Sequence, residues 1–164
     1  MTVVSSQRAQ VDPRGPRFGA AITAVLLAVN LILALLIPTS SLSLVERLAQ
    51  PAFILLLVLF ALFLYGAIRG VQKHPYGILF AKVIRPRLSA AAELEDAAAP
   101  TFAQGVGAFV TGAGLLLFAI GVPLALPIAI AAAFVAAFLN AAFGYCLGCE
   151  MYLLLRRAGV LKSA

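Results

Sequence analysis

The chain has no tryptophan, one histidine, two cysteines and only six acidic residues among 164. Each scarcity excludes something. The lone histidine, His74, sits in a loop between apolar runs, where a solvated ring is expected, so no pair of intramembrane imidazoles exists to ligate a b-type haem. None of the long apolar runs contains Asp, Glu, Lys, Arg or His, which argues against a proton pump or an ion-coupled transporter. There is no phosphate loop, nucleophile elbow or His-Glu-x-x-His. Aromatics are not interleaved on a basic face, so the net charge of +6 does not describe a nucleic-acid surface.

What the chain has instead is hydrophobic length. Hydrophobic residues make up 63% of it and charged residues 11%, far from a soluble composition. Four runs carry the excess, Phe18–Ile37, Pro51–Ile68, Phe102–Val122 and Leu124 to Gly148. A helix needs about 20 apolar residues to cross the hydrocarbon. The sequence therefore predicts an all-α, integral membrane bundle of four transmembrane helices, at about residues 18–37, 51–68, 102–122 and 124–148. Residues 1–11 read as a disordered tail, 12–157 as a single domain and 158–164 as a second tail. Arg8, Arg14, Arg17, Arg69, Lys73, Lys82, Arg85, Arg87, Arg156, Arg157 and Lys162 fall on one side, and Arg47 alone on the other. The positive-inside rule then puts both termini and the middle loop in the cytoplasm. Pro38-Thr39-Ser40-Ser41 offers no A-x-A site, so the first run reads as an uncleaved helix.

Shorter signals organise the connections. Ser43-Leu44-Val45-Glu46 has capping-box spacing, which predicts a short helix. Pro75 to Arg85 places Leu79, Phe80, Val83 and Ile84 on one side of a second short helix, suited to the membrane interface. Glu93, Glu95 and Asp96 precede the third span, where a helix N-terminus favours negative charge. Asp12-x-x-x-Pro16-x-Phe18-Gly19 matches Asp96-x-x-x-Pro100-x-Phe102-Ala103, the mark of two helix hairpins in parallel orientation if the match is a duplication. Small residues mark helix interfaces in lipid, and the Ala103/Gly107/Thr111 and Ala136/Asn140/Gly144/Gly148 faces are expected to meet. Asn30 and Asn140, at mid-membrane depth, are expected to make interhelical hydrogen bonds.

Chemistry is concentrated in Cys146-Leu147-Gly148-Cys149. If the fourth helix runs through it, both thiols and Glu150 share one side. The pair would then be a redox-active dithiol, a sulfur relay holding a persulfide, a site for a thiophilic metal ion with Glu150, or two small buried residues that only pack. A position near a helix C-terminus beside Glu150 would disfavour thiolate. That points to slow exchange with a docked partner or a membrane quinone, with Cys149 reacting, Cys146 resolving and Glu150 moving protons. At a cytosolic interface a purely structural disulfide is not expected.

Asp12-Pro13-Arg14, Pro16-Arg17-Phe18, Arg85-Pro86-Arg87-Leu88, Glu95-Asp96, Pro100-x-Phe102-Ala103 and Cys146-Leu147-Gly148-Cys149-Glu150-x-Tyr152 together resemble one family. It is the bacterial membrane family catalogued as domain of unknown function 4395 (DUF4395). The resemblance runs from about Val11 to Arg157 and implies a multi-pass protein of the bacterial plasma membrane. It also implies a neighbourhood of thioredoxin-like or sulfurtransferase-type partners. The expected function is thus thiol–disulfide or sulfur transfer with a cytosolic partner, or else a non-enzymatic membrane scaffold whose cysteines pack or bind metal. Quinone-linked disulfide-forming enzymes of the vitamin K epoxide reductase type are also four-helix bundles with a C-x-x-C, but this chain lacks their second cysteine pair.

Overall fold

The computed structural model describes residues 9–36, 42–91 and 93–160. Arg8, Lys162, the Pro38–Ser41 segment, most of the N-terminal tail and the last residues of the C-terminal one lie outside them. A two-residue strand, β1 (Gln10–Val11), leads into α1 (Arg14–Leu36), the short α2 (Leu44–Leu48) and α3 (Pro51–Arg69). The middle connection begins with α4 (Pro75–Leu79), continues as a π-type turn over Phe80–Ile84 and a 3-10 turn over Arg85–Arg87, and reaches β2 (Glu95–Asp96). Then follow α5 (Ala98–Ala119), α6 (Ala125–Phe143) and α7 (Leu147–Arg157). Helices α1, α3, α5 and α6 are long and apolar enough to cross a membrane. The chain is an all-α membrane-type bundle.

Helix starts follow local side-chain hydrogen bonds rather than hydropathy. The Asp12 carboxylate accepts from the Arg14 N–H (3.0 Å) and the Asp96 carboxylate from the Ala98 N–H (2.9 Å). Both helices therefore start four residues before the apolar runs do. Ser43 and Glu46 form the expected capping box at α2. Two arginines serve C-terminal carbonyls, which are otherwise orphaned. Arg17 Nη2 donates to Ala141 O at the end of α6, and Arg47 Nη1 to Ala119 O at the end of α5, each at 3.4 Å. Asp12 also holds Arg14 in an ion pair of 2.8 Å. Tail residues 10 and 11 are ordered against β2, and Gln72 Nε2 donates to Gln10 O at 2.6 Å.

The core lies between the four long helices. Leu27, Leu56, Leu59, Leu126, Ile130 and Phe118 are its fully buried large side chains. Val25, Ile32, Phe109, Leu116 and Ile128 point outward with more than half their surface open. Hydrocarbon matches such a surface and water does not. Of the two small-residue faces expected to meet, Ala103 and Gly148 do touch, while most of each face packs elsewhere. The α5 small-residue face meets α3, because Gly107 and Gly112 accommodate the rings of Phe63 and Phe60. Helix α6 takes α1 as its main partner and touches α5 higher up, where Gly114 admits Ala129. The expected hydrogen bond of Asn30 is also missing. Asn30 is fully buried, and neither amide atom has a partner among the described residues.

The repeat is visible as geometry. Matching Asp12 to Asp96 also matches Val11 to Glu95, and these two residues are paired directly in the β1–β2 ladder, as a twofold axis between them requires. The main contacts obey the same operation, with α1 on α6 answering α5 on α3. Phe18 packs on Phe80 at 5.9 Å and its counterpart Phe102 on Tyr152 at 5.6 Å. The segments after α3 and α6 are thereby equivalent too. Each follows a positive-φ glycine (Gly70, Gly144), and each begins a helix with a side-chain cap, His74 for α4 and Cys146 for α7.

Candidate functional site

The fourth span does not run through the cysteines. Gly144 adopts φ 70°, a left-handed conformation that glycine takes without cost, and ends α6 at Phe143. The N–H groups of Gly144 and Tyr145 return to the carbonyls of Asn140 (3.0 Å) and Leu139 (3.2 Å). Cys146 is then extended (φ −91°, ψ 97°) and caps a new helix, α7. Its sulfur accepts from the Cys149 N–H at 3.2 Å, and its carbonyl from the Glu150 N–H at 3.0 Å. Cys146 and Cys149 are joined by a disulfide, S–S 2.05 Å.

This corrects the expected electrostatics. The pair stands at the N-terminus of an 11-residue helix, not near a C-terminus. A helix N-terminus presents free N–H groups and the positive end of the dipole, which favour thiolate. Glu150 is exposed in the first turn of α7, with no ion pair among the described residues. Arg156 engages the Tyr152 ring (5.8 Å) and not the sulfurs. Among the described residues no group of three or more His, Cys, Asp or Glu gathers around a point. A metal bound by Cys146, Cys149 and Glu150 would require the reduced pair.

Helix α7 is anchored by contact with α5. Gly148 lies so close to Ala103 that a Cβ built on it would stand 2.6 Å from the Ala103 Cα and Cβ. Phe102 and Tyr152 close the same contact. The disulfide is therefore held against the bundle and not on a free tail.

Beside it opens a cavity of about 500 Å³ between the two halves of the repeat. Its wall runs from Gln72 and Arg85 down to Leu59, which lies ten residues inside the end of α3 at Arg69. At the helical rise that is a depth of roughly 15 Å. Small residues such as Gly19, Gly107, Ala132 and Ala136 leave the space. Gln104, Asn140, His74 and Cys146 bring polar or sulfur atoms to it. The residue pattern singled out Asn140 for a hydrogen bond it does not make among the described residues, and passed over Gln104. No periodic signal marks Gln104, since its role depends on which side of α5 faces the axis.

His74 is not the solvated loop residue its position suggests. It is buried, and its Nδ1 accepts from the Tyr76 N–H at 3.2 Å as the cap of α4. Burial pushes the imidazole below its ordinary value of 6.5, partly opposed by a hydrogen bond to the Leu62 backbone. An unfolded His74 binds a proton more readily than the folded one, so the neutral ring's contribution is present above about 6.5 and is lost as pH falls. Thermal unfolding at pH 7.5 and 5.5 should show a drop in Tm on acidification. Replacement His74→Asn, which keeps a capping acceptor without a titrating ring, should flatten that drop. An equal drop in the variant would remove His74 as the cause.

A helical bundle of four helices able to span a membrane, with a capped disulfide at one end, is the class these features define. Residues 11–157 match the family described as Domain of unknown function (DUF4395), and the chain belongs to it. No curated protein and no solved structure matches the chain.

Proposed function

We propose that the protein is a membrane-embedded dithiol–disulfide component that exchanges electrons or sulfur with a cytosolic thioredoxin-like or sulfurtransferase-type partner, in the bacterial plasma membrane. One observation carries the reading: Cys146 caps α7 and receives the Cys149 N–H on its sulfur. This is the setting in which a C-x-x-C pair is reactive rather than inert. It exchanges the expected roles. A partner thiolate attacks the Cys146 sulfur, and Cys149 leaves as thiolate within the first turn of the same helix. A second partner thiol then attacks the mixed disulfide, releasing the Cys146 thiolate and an oxidised partner. The pair has gained two electrons, and protons from solvent complete the dithiol. Glu150, exposed beside the pair, is suited to move those protons.

Maleimide mass-tagging of cysteines in intact membranes tests the reading. The pair should shift from untagged to doubly tagged after mild reductant and return on oxidant. A pair that is fully reduced and untouched by oxidant would support the competing scaffold or metal-binding function instead.

A further inference from the structure

We infer that the axial cavity is a binding site for a lipophilic quinone, which accepts electrons from the Cys146–Cys149 dithiol. The inference rests on the dithiol reading and adds the substrate class of its second half-reaction.

Three features converge on it. The cavity, about 500 Å³, is of the size that takes a small organic ligand. Its lining is mostly apolar, with Asp12 and Arg85 its charged members, so the ligand that fits is largely neutral and partitions into lipid. The Gln104 and Asn140 side chains line it, and their carboxamides make no hydrogen bond with a described residue. Amide N–H groups are the donors that a quinone carbonyl accepts from, and an acyl chain would leave them bare. Cys146 lines the same cavity, so the residue that caps α7 borders the space the ring would occupy.

The chemistry balances. The Cys146 and Cys149 thiols lose two protons and two electrons as the S–S bond forms. The quinone gains both and leaves as hydroquinone. Together with the exchange above, electrons pass from a soluble thiol partner to the membrane pool.

The test uses the full chain, reduced, in lipid nanodiscs, with decylubiquinone or menadione as the probe. Disulfide formation and loss of quinone absorbance are followed together. One hydroquinone per protein is expected. Filling the cavity with Ala136→Phe, or removing the donor with the volume-conserving Gln104→Leu, should slow this oxidation at least tenfold. Oxidation of the same variants by glutathione disulfide, which approaches from water, should stay within about twofold of the parent. That second reaction also reports a correctly assembled site. If glutathione disulfide oxidises the pair but neither quinone does, the quinone site is wrong and the dithiol reading stands. If no oxidant forms the disulfide, both fail. Equal quinone rates in parent and either variant that still reacts with glutathione disulfide would also remove the cavity as the site.

Discussion

Substituting Gly148→Ala is expected to undock α7 and to cost about 2 kcal/mol, although it adds a single methyl group. The methyl has nowhere to go. It would fall 2.6 Å from both the Cα and Cβ of Ala103, and a backbone atom in α5 cannot swing aside as a side-chain tip could. Within a helix Ala is otherwise preferred to Gly by about 1 kcal/mol, so the sign of the effect separates packing from propensity. Amide hydrogen exchange over Leu147–Arg157 should accelerate while that of α3 does not. Gly105→Ala is the control, because a Cβ there meets nothing nearer than Ala67 at 3.9 Å. A stabilised Gly148→Ala protein would contradict the docking of α7. Changing Ala103→Gly in the same background relieves one of the two clashes and should recover part of the loss.

The second large effect is an asymmetry between the thiols. With Cys149→Ser, the remaining Cys146 sits at the N-cap, where the first-turn N–H groups and the dipole favour its thiolate. With Cys146→Ser, the remaining Cys149 lies within the helix, and a serine takes over the cap. Cys146 should therefore alkylate roughly five- to tenfold faster than Cys149 near neutral pH. A pair at a helix C-terminus would give slow reaction at both positions.

The contrast between those two settings shows what could be read from residues alone. Four spans were legible because hydropathy is summed over some twenty positions and survives local errors. The cap at Ser43 was legible because its partner Glu46 is three residues away. The end of α6 was missed because Gly144 is one residue whose effect depends on conformation; among the glycines and alanines of that span nothing distinguishes a packing glycine from a stop. Placing the stop at Gly144 instead of Gly148 moves Cys146 from the end of one helix to the start of another. His74 was missed for a related reason, since its ring packs into space left by Gly66 on another segment. The β1–β2 pairing was not legible, because Gln10 and Val11 fall in a tail that reads as disordered and strands of two residues carry no periodic signal.

The repeat also gives the site its shape. A single hairpin of the repeat would bury one face and expose the other. Two hairpins around a twofold axis enclose a space between them, and the segments following Gly70 and Gly144 flank its mouth. In one half the capping position carries a histidine whose imidazole burial pushes below its ordinary value, and in the other it carries a cysteine. The two halves share a frame and differ in chemistry at the equivalent position.

The central claim is that Cys146, as the cap of α7, is the exchange-active thiol. Its most direct test is the rate of iodoacetamide alkylation of the Cys149→Ser and Cys146→Ser proteins in membranes, measured from pH 5 to 10. The account predicts that the Cys146 profile rises at lower pH than the Cys149 profile. Coincident profiles, or an earlier rise for Cys149, would contradict it.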